Sequence, residues 1–418
     1  MTETSARPVR ASRRARSSRR AGPATLGALL AAGTLLLGAC SSGSSTSAST
    51  SSGASTGTSS SSSTATASAQ AASLSPALQA LETNPTFTPP GPALNAKKLP
   101  ASTPIVVIDN TPSVGPLEET SAGVMQAAQE AGFSPKLLNG GANNTASDDI
   151  NLLEQAVNLH PKVVLQVGII TALETAGLQY AKSHGVPVIA VDDNAPVAGA
   201  PGEGSGPLAS GTSAQDYTAY GQVLAQYVAS QGPKNASVAI ITSNDIVPST
   251  AIQAAFQSEL SKLCSGCTTF TQNVDTADWS TQITPTVTSI LDAHPTLNYL
   301  FPIVDGMAPL VSPALSAATD SSLQVISANA TPGSAMNSVK SGQFAAEVGA
   351  SPQAIGWYGF DAALRVMLGL PQQTSPDEPY SFFTTSEMKA KNLNPNSVSA
   401  LFGNAYVTGF LKLWGVSS

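Results

Sequence analysis

The sequence predicts an α/β fold of two doubly wound, Rossmann-like lobes with parallel sheets, and two observations carry this prediction. From residue 104 onward, short runs of branched apolar residues alternate with amphipathic helical patterns. Continuous apolar strands between helices are typical of a parallel sheet covered on both faces. A segment rich in Pro, Gly and Ser at 195–213 interrupts the alternation, and a second array of similar size follows it. The two arrays therefore indicate two lobes of one repeated architecture.

The first array predicts four strands and three helices. His160 and His184 each close a helical pattern just before Pro161 and Gly185. A cation there complements the negative end of the helix dipole, so these histidines, like His294, are interpreted as helix-terminating rather than catalytic or metal-binding. The strands are predicted at 105–109, 136–138, 162–167 and 186–191, and the helices at 118–131, 148–159 and 172–183.

The second array predicts four more strands between four helices. Open parallel sheets bind ligands at the carboxyl ends of their strands, and two facing sheets form a cleft that can close by hinging. The helices are predicted at 214–230, 250–263, 281–293 and 306–318, and the strands at 237–242, 268–272, 298–303 and 323–327.

The net charge is divided unevenly along the chain. The 418 residues include 19 basic and 26 acidic side chains, a net charge of −7. Seven arginines and one acid fall within the first 23 residues, which leaves 12 basic and 25 acidic residues in the remainder. This acidic remainder lacks the clustered Lys and Arg that phosphate contacts need, which argues against a nucleic-acid-binding protein.

The N-terminus is typical of an export signal. An arginine-rich stretch precedes an apolar run, Ala24 to Gly38, which is short for a membrane span and suited to a signal peptide. The sequence Leu-Gly-Ala-Cys that ends at Cys40 resembles the bacterial lipobox. The resemblance implies that residues 1–39 are removed, that Cys40 carries lipid, and that the protein is anchored to the outer face of the cell membrane. An ordinary secretory peptide and a transmembrane anchor are the alternatives, and arginine pairs leave Sec and twin-arginine export both open.

A low-complexity tract follows the lipobox. Residues 41–68 contain only Ser, Thr, Gly and Ala, which cannot bury enough apolar surface to offset the entropy of ordering. We therefore predict that residues 40–99 form a flexible tether and that the folded body begins near residue 100.

The cysteine count agrees with export. With Cys40 lipidated, Cys264 and Cys267 remain and stand at the end of a helical pattern. In an oxidising compartment the favoured interpretation is a local disulfide. A redox motif would sit at the start of a helix, and zinc would need two further ligands.

Several segments in order and spacing resemble a known family over nearly all of residues 100–418. They are Gly185–Asp192, Ala277–Ser280, Asp292–Pro295, Phe301–Ala308, Ser341–Val348 and Leu413–Gly415. The chain resembles the type I periplasmic sugar-binding proteins, the ribose-binding-like receptors of ABC importers. That resemblance implies a three-segment hinge with crossings near 207–213, 329–331 and 349–352. Lobe 1 would then comprise 100–208 plus 352–378, and lobe 2 would comprise 212–349 plus 380–418.

The resemblance also implies a ligand site. Carried over position by position, it gives Asn110, Asp192, Trp279, Asp305 and Asn329 as ligand-binding residues. Turn chemistry, strand-end hydrogen bonds, helix capping and core packing are the competing interpretations of the same residues.

The chain also departs from the family at four positions of the site, one of which is Asn329 in place of an acid. Thr250, Ala251 and Ile252 stand where the family places an arginine, Val304 replaces an asparagine, and Ala350 replaces a glutamine. Unpaired hydroxyls would cost about 1–3 kcal/mol each, so the ligand is expected to be less polar than a simple pentose or hexose.

The resulting functional hypothesis is an extracytoplasmic solute-binding lipoprotein that delivers a sugar-like molecule to an ABC transporter permease. It is expected to act as a monomer, without cofactor, metal or nucleic acid. A sensory receptor of the same fold is the alternative, whereas a LacI-type repressor is disfavoured because an export signal replaces the DNA-binding helices. An enzyme is disfavoured because no Ser/His/acid set and no glycosidase carboxylate pair can be assembled.

Overall fold

The computed structural model describes residues 73–112, 114–141, 145–168, 173–192, 209–317, 322–371 and 378–416. The expected signal peptide, Cys40 and the Ser/Thr tract lie outside these residues. Within them the structure is α/β and contains two mostly parallel sheets, as the sequence predicts. None of the described helices is long and apolar enough to cross a membrane.

Lobe 1 is built on a five-stranded parallel sheet in the order β2-β1-β3-β4-β5. Its strands are β1 (Ile105–Asp109), β2 (Lys136–Asn139), β3 (Val163–Val167), β4 (Val188–Val191) and β5 (Gly211–Ser213). Alternate residues of a strand face opposite layers, so Val107 packs in one apolar cluster and Ile108 in another on the other face of the sheet. Helices α2 (Gly115–Glu130), α3 (Ala146–Val157) and α4 (Thr175–Ser183) connect the first four strands.

Strand β5 corrects the predicted lobe boundary. Its register pairs Ile189 with Gly211, so the chain is still in lobe 1 where the sequence prediction placed the crossing at 207–213 and the start of lobe 2 at 212. The crossing instead follows β5 and leads into helix α5 (Tyr217–Gln231). A three-residue strand of Gly, Thr and Ser has no apolar run to reveal it.

Lobe 2 is built on a six-stranded sheet in the order β11-β10-β9-β8-β6-β7. Only the β10–β11 pair is antiparallel. The strands are β6 (Ser237–Thr242), β7 (Thr268–Asn273), β8 (Tyr299–Pro302), β9 (Gln324–Ala328), β10 (Ala346–Ala350) and β11 (Tyr380–Thr384). The helices between them are α6 (Val247–Leu263), α7 (Trp279–Ala293), α8 (Ala308–Ala317) and α9 (Ser334–Ser341).

Helix α10 (Pro352–Met367) returns the chain to lobe 1 and packs closely on α2. Two glycines allow this approach: a Cβ on Gly123 would lie 2.3 Å from the Gln353 carbonyl oxygen, and one on Gly356 would lie 2.3 Å from the Thr120 carbonyl oxygen. Between β1 and β11 the chain therefore passes from one lobe to the other three times: between β5 and α5, at Ser351, and between α10 and β11. Residues 329–331, where the resemblance predicts a crossing, form a loop within lobe 2, because β9 and β10 pair in one sheet.

The segment before β1 is part of the folded body, so the body begins earlier in the chain than the predicted end of the tether. Helix α1 (Pro76–Leu81) contacts α5 and β11 of lobe 2 and buries Leu78 completely. Phe87 then stacks edge-on against Phe410 at 4.8 Å, and the Leu94 N–H donates to the Leu413 carbonyl at 2.9 Å. Residues 75–99 thus run across both lobes, whereas the sequence prediction placed them in the flexible tether.

The C-terminal segment also reaches both lobes. After α11 (Thr385–Ala390) and α12 (Val398–Phe402) on lobe 2, helix α13 (Ala405–Leu413) packs on α10. The Trp414 indole donates to Asp361 at 2.8 Å, and Asp361 pairs with Arg365 at 2.6 Å in a buried cluster. The predicted assignment of the whole of 380–418 to lobe 2 therefore holds only as far as α12.

Cys264 ends α6 and Cys267 precedes β7. Their Cα atoms are 5.3 Å apart and their sulfur atoms are adjacent. The three-residue separation at the helix end brings the two side chains together.

Candidate functional site

A cavity of about 490 Å³ lies where the carboxyl ends of both sheets meet. Gly168 and Asp192 line it at the ends of β3 and β4, and Val304 and Asn329 line it at the ends of β8 and β9. The segments around the crossings complete the wall. This is the position at which doubly wound folds bind ligands.

Asp192 lies at the end of β4 in lobe 1. Its backbone has a positive φ of 58°, and its Oδ1 accepts hydrogen bonds from Gln215 Nε2 at 3.0 Å and Tyr217 Oη at 3.5 Å. Burial raises the pKa of this carboxyl, and the two hydrogen bonds oppose the rise. Its carboxylate is thus fixed by residues of the first crossing, at the point where the lobes are joined.

Asp305 lies opposite, in lobe 2, at the start of a 3₁₀ turn that leads into α8. It is 4 % exposed, and its Oδ2 accepts the N–H of Thr331. Burial raises the pKa of Asp305 to about 6, although hydrogen bonds from Thr331 and from the turn itself act in the opposite direction. This carboxyl therefore titrates close to neutral pH.

Trp279 provides the aromatic surface of the cavity. Its indole N–H donates to Ser243 Oγ at 2.6 Å and to the Val274 carbonyl at 3.2 Å, which fixes the ring at the start of α7. The ring lies against Gly306, where an added Cβ would approach it to 3.3 Å. A half-exposed, anchored indole of this kind can stack on the C–H face of a ring or on a cation.

Asn329 occupies a strained position at the end of β9. Its φ is 93°, and its Oδ1 is buried with no hydrogen-bond partner among the described residues. The strained loop passes so close to β10 that a Cβ on Gly349 would lie 2.2 Å from the Asn329 carbonyl oxygen. A positive φ at a residue other than glycine is unfavourable, and it persists where the surrounding structure enforces it, often at binding sites.

The structure brings together four of the five predicted ligand residues, namely Asp192, Trp279, Asp305 and Asn329. Asn110 is not one of the lining residues. It is 1 % exposed and takes part in a buried polar network, accepting from Gln166 Nε2 at 3.4 Å and donating to Glu174 Oε1 at 3.5 Å. Its place after β1 could be predicted, but the inward direction of its side chain could not.

Sequence reasoning missed Gln215, Tyr217, Asp245 and Thr331, which also line the cavity. Gln215 and Tyr217 follow the unrecognised strand β5. Asp245 accepts hydrogen bonds from the Thr276 N–H and hydroxyl at 2.9 and 2.6 Å, a contact between two loops that are distant in sequence.

Two buried glutamates lie behind the acids of the cavity. Glu347 and Glu378 are 0 % and 4 % exposed, and neither carboxyl has a hydrogen-bond partner among the described side chains. Burial raises the pKa of each well above its ordinary value, and the nearby charge of Asp305 or Asp192 adds to the rise. Burial in this position thus disfavours the charged form of both carboxyls.

The described residues hold no group of three or more His, Cys, Asp or Glu side chains arranged to bind a metal ion. The histidines stand at helix ends, as predicted: His184 and His294 cap α4 and α7.

Residues 106–371 match the family model of the periplasmic binding protein domain. No match was found among curated proteins.

Solved structures share the architecture at low sequence identity. One is an ABC transporter solute-binding protein from Mycobacterium smegmatis with bound glycerol, with a TM-score of 0.60 and 17% identity over 71% of this chain and 98% of that one. A solute-binding protein from Burkholderia graminis in complex with D-arabinose has a TM-score of 0.59 and 20% identity, over 70% and 99% of the two chains. A periplasmic ribose ABC transporter protein from Conexibacter woesei has a TM-score of 0.60 and 16% identity, over 72% and 96%. At these identities the likeness establishes the fold.

Proposed function

This chain belongs to the periplasmic binding protein family, and we propose that it is an extracytoplasmic solute-binding lipoprotein that delivers a small, sugar-like molecule to an ABC transporter permease. Proteins of this family capture solutes and are not enzymes. The observation that carries the proposal is the cavity between the carboxyl ends of two sheets that are joined by three crossings.

The arrangement of the lining residues supports capture by lobe closure. Asp192 comes from lobe 1, Trp279 and Asp305 come from lobe 2, and Gln215 and Asn329 lie close to the crossings. A ligand that contacts both walls binds the closed form more tightly than the open form and so shifts the population toward closure. No covalent step is required.

The test of ligand capture is titration calorimetry of the mature chain against sugars, polyols and nucleosides, with small-angle scattering of the same samples. We expect at least one compound to bind with a decrease in the radius of gyration. Silence across all three classes would refute a carbohydrate-like ligand, and binding without compaction would refute closure.

Lipid anchoring is supported by the resemblance of the segment ending at Cys40 to the lipobox and by the uncharged tract that follows it. We expect the wild-type chain in the membrane fraction and Cys40→Ser in the soluble fraction or retained as an uncleaved precursor. A Cys40→Ser chain that is processed and membrane-bound like wild type would contradict the anchor.

Delivery to a permease, rather than signalling, is tested by reconstitution. We expect the loaded, monomeric protein to stimulate ATP hydrolysis by its transporter in vesicles, whereas a sensory receptor would leave that rate unchanged.

The proposed disulfide between Cys264 and Cys267 is supported by the adjacency of the two sulfurs and by export. Alkylation of the exported protein before and after reduction would measure it.

A further inference from the structure

Three carboxylates line the proposed ligand cleft, one from lobe 1 and two from lobe 2. They are Asp192, Asp245 and Asp305. In both Asp192 and Asp245 the hydrogen bonds from the described residues go to a single carboxylate oxygen: Gln215 and Tyr217 donate to Asp192 Oδ1, and Thr276 donates to Asp245 Oδ2. The glutamates behind the cleft add no positive charge.

No basic side chain of the described residues lines this cleft. Six lysines lie at the amino ends of strands or in the last turns of helices, which is the sheet edge opposite the ligand edge: Lys136, Lys162, Lys182, Lys234, Lys262 and Lys340. Five more belong to the terminal segments: Lys97, Lys98, Lys389, Lys391 and Lys412. Arg365 is buried against Asp361. The internal segments that the structure does not describe contain no Lys, Arg or His.

This distribution has an energetic consequence for closure. Closing the lobes removes water from the carboxylates, and an ionised carboxylate without a positive partner costs several kcal/mol in a dry site. Neutral hydroxyls can donate hydrogen bonds to these oxygens, but they leave the net charge uncompensated. A positively charged group on the ligand would supply the compensation that these carboxylates lack.

The other walls of the cleft restrict the ligand further. Apolar side chains form much of its surface, among them Leu117, Ile246, Pro248 and Val304, and Trp279 offers its ring face. An acidic group on the ligand would meet the three carboxylates with no basic residue to bind it. This disfavours amino acids, uronic acids and sugar phosphates.

We propose that the ligand is a hydroxylated monoamine, a sugar or cyclitol with one protonated amino group and no acidic group. This inference rests on the proposed function. The ammonium would lie among the carboxylates, the hydroxyls would bind the remaining acceptors, and the C–H face would pack on the indole.

The test uses matched sets of compounds on the mature chain after removal of co-purified ligand. Each set contains a sugar, its amino analogue and its N-acetyl derivative: glucose, galactose and mannose with the corresponding hexosamines and N-acetylhexosamines. Binding is measured by calorimetry at pH 7.5. In at least one set the amine is expected to bind about 10-fold or more tightly than either neutral partner, since one favourable charge contact is worth about 1.4 kcal/mol or more.

The outcomes separate this inference from the function on which it rests. If a neutral sugar binds as tightly as its amine or more tightly, the protein is a solute-binding protein but the cationic ligand is refuted. If no member of any set binds but another neutral sugar, polyol or nucleoside does, the cationic ligand is refuted and the solute-binding function stands. Silence across all of these compounds refutes the sugar-like ligand itself, and the inference falls with it.

Variants give a readout that a purely structural role would not produce. Asp245→Asn is expected to weaken binding of the amine about 5- to 20-fold and to change that of the neutral sugar by less than about 2-fold, whereas Asp245→Glu retains most of the preference. Asp292→Asn, an exposed acid at the far end of α7, is the matched control and should change neither. An unchanged preference for the amine in Asp245→Asn, Asp192→Asn and Asp305→Asn would refute the role of the carboxylates.

Discussion

Asp305 should make the ligand-free protein less stable as the pH rises toward neutrality. Its carboxyl is 4 % exposed and its pKa is raised from 3.8 to about 6. Between these two values the folded chain holds a proton that the unfolded chain has lost, so the free energy of unfolding falls as pH increases. Asp305→Asn removes the titration and keeps an amide oxygen that can accept the Thr331 N–H.

The size of the effect follows from the difference between the two pKa values. At pH well above 6 the ionised carboxylate lowers the stability by about 3 kcal/mol, because each tenfold change in proton affinity corresponds to about 1.4 kcal/mol. At pH 4.5 ionisation of Asp305 has already lowered the stability by about 1 kcal/mol of that total. The stability of Asp305→Asn relative to wild type should therefore increase by about 2 kcal/mol between pH 4.5 and pH 7.5. Glu347, which lies close to Asp305, adds to the effect in the same direction.

The assay is urea unfolding of the ligand-free chain, followed by tryptophan fluorescence at several pH values from about 4.5 to about 7.5. The comparison is the difference between variant and wild type at each pH, so a constant loss of packing or hydrogen bonding cancels. Asp292→Asn, an exposed acid in the same lobe, is the control and should give a flat difference. A flat difference for Asp305→Asn, or one that shrinks as pH rises, would refute the assignment of a buried, costly carboxylate.

Other changes test the remaining parts of the structure. Trp279→Ala should weaken ligand binding about 30-fold or more, since a stacked indole at a binding site is worth about 2 kcal/mol or more, and Trp279→Phe should recover part of that in calorimetry. Asp361→Ala should cost about 3–5 kcal/mol in urea unfolding because it leaves the Arg365 guanidinium buried without a carboxylate, whereas Asp361→Leu combined with Arg365→Met should cost much less. A chain that begins at Pro100, the boundary expected from sequence, should unfold at a lower urea concentration than one that begins at Ser73, because it lacks the buried apolar side chains of the segment between them. Equal midpoints for the two chains would contradict the packing of that segment.

The alternation of apolar strands and amphipathic helices could be predicted because local periodicity reports burial directly. Strand β1 is predicted at its observed bounds. All five of its residues are buried, and the four that precede Asp109 are apolar and β-branched. Helix α2 begins three residues earlier than expected because Pro116 occupies its first turn, where the missing N–H costs nothing. Strand β5 is small and polar, so its burial comes only from its neighbours in the sheet.

The terminal segments show what periodicity cannot reveal. Phe87 and Leu94 are single apolar residues among Pro, Thr and Asn, a composition that reads as linker. Their packing depends on α10 and α13, which follow about 270 and about 320 residues later in the chain. For this reason the sequence prediction misplaced residues 75–99 and helix α13.

The residues of the candidate site also divide into those that could be placed from the sequence and those that could not. Asp192 and Asp305 could be located because the resemblance to the family matches them position by position, and the topology of a parallel sheet takes the loops that follow β4 and β8 to one edge. The contact of Asp245 with Thr276 and the inward network of Asn110 depend on loop conformation and side-chain direction, which the strand pattern does not determine.

The placement of charge in this chain follows from the fold and also limits the ligand. Lysine in the last turn of a helix stabilises the negative end of its dipole, as Lys182, Lys262 and Lys340 do, and βα topology takes every such end to the edge away from the cleft. Acids at strand ends are carried to the cleft by the same topology. A cleft of this fold therefore becomes acidic unless a basic residue is placed at its own edge, and no such residue stands among the described lining residues. The three acids of the cleft, Asp192, Asp245 and Asp305, therefore face one another without a basic residue among the described lining residues, and a cationic group on the ligand would complement them.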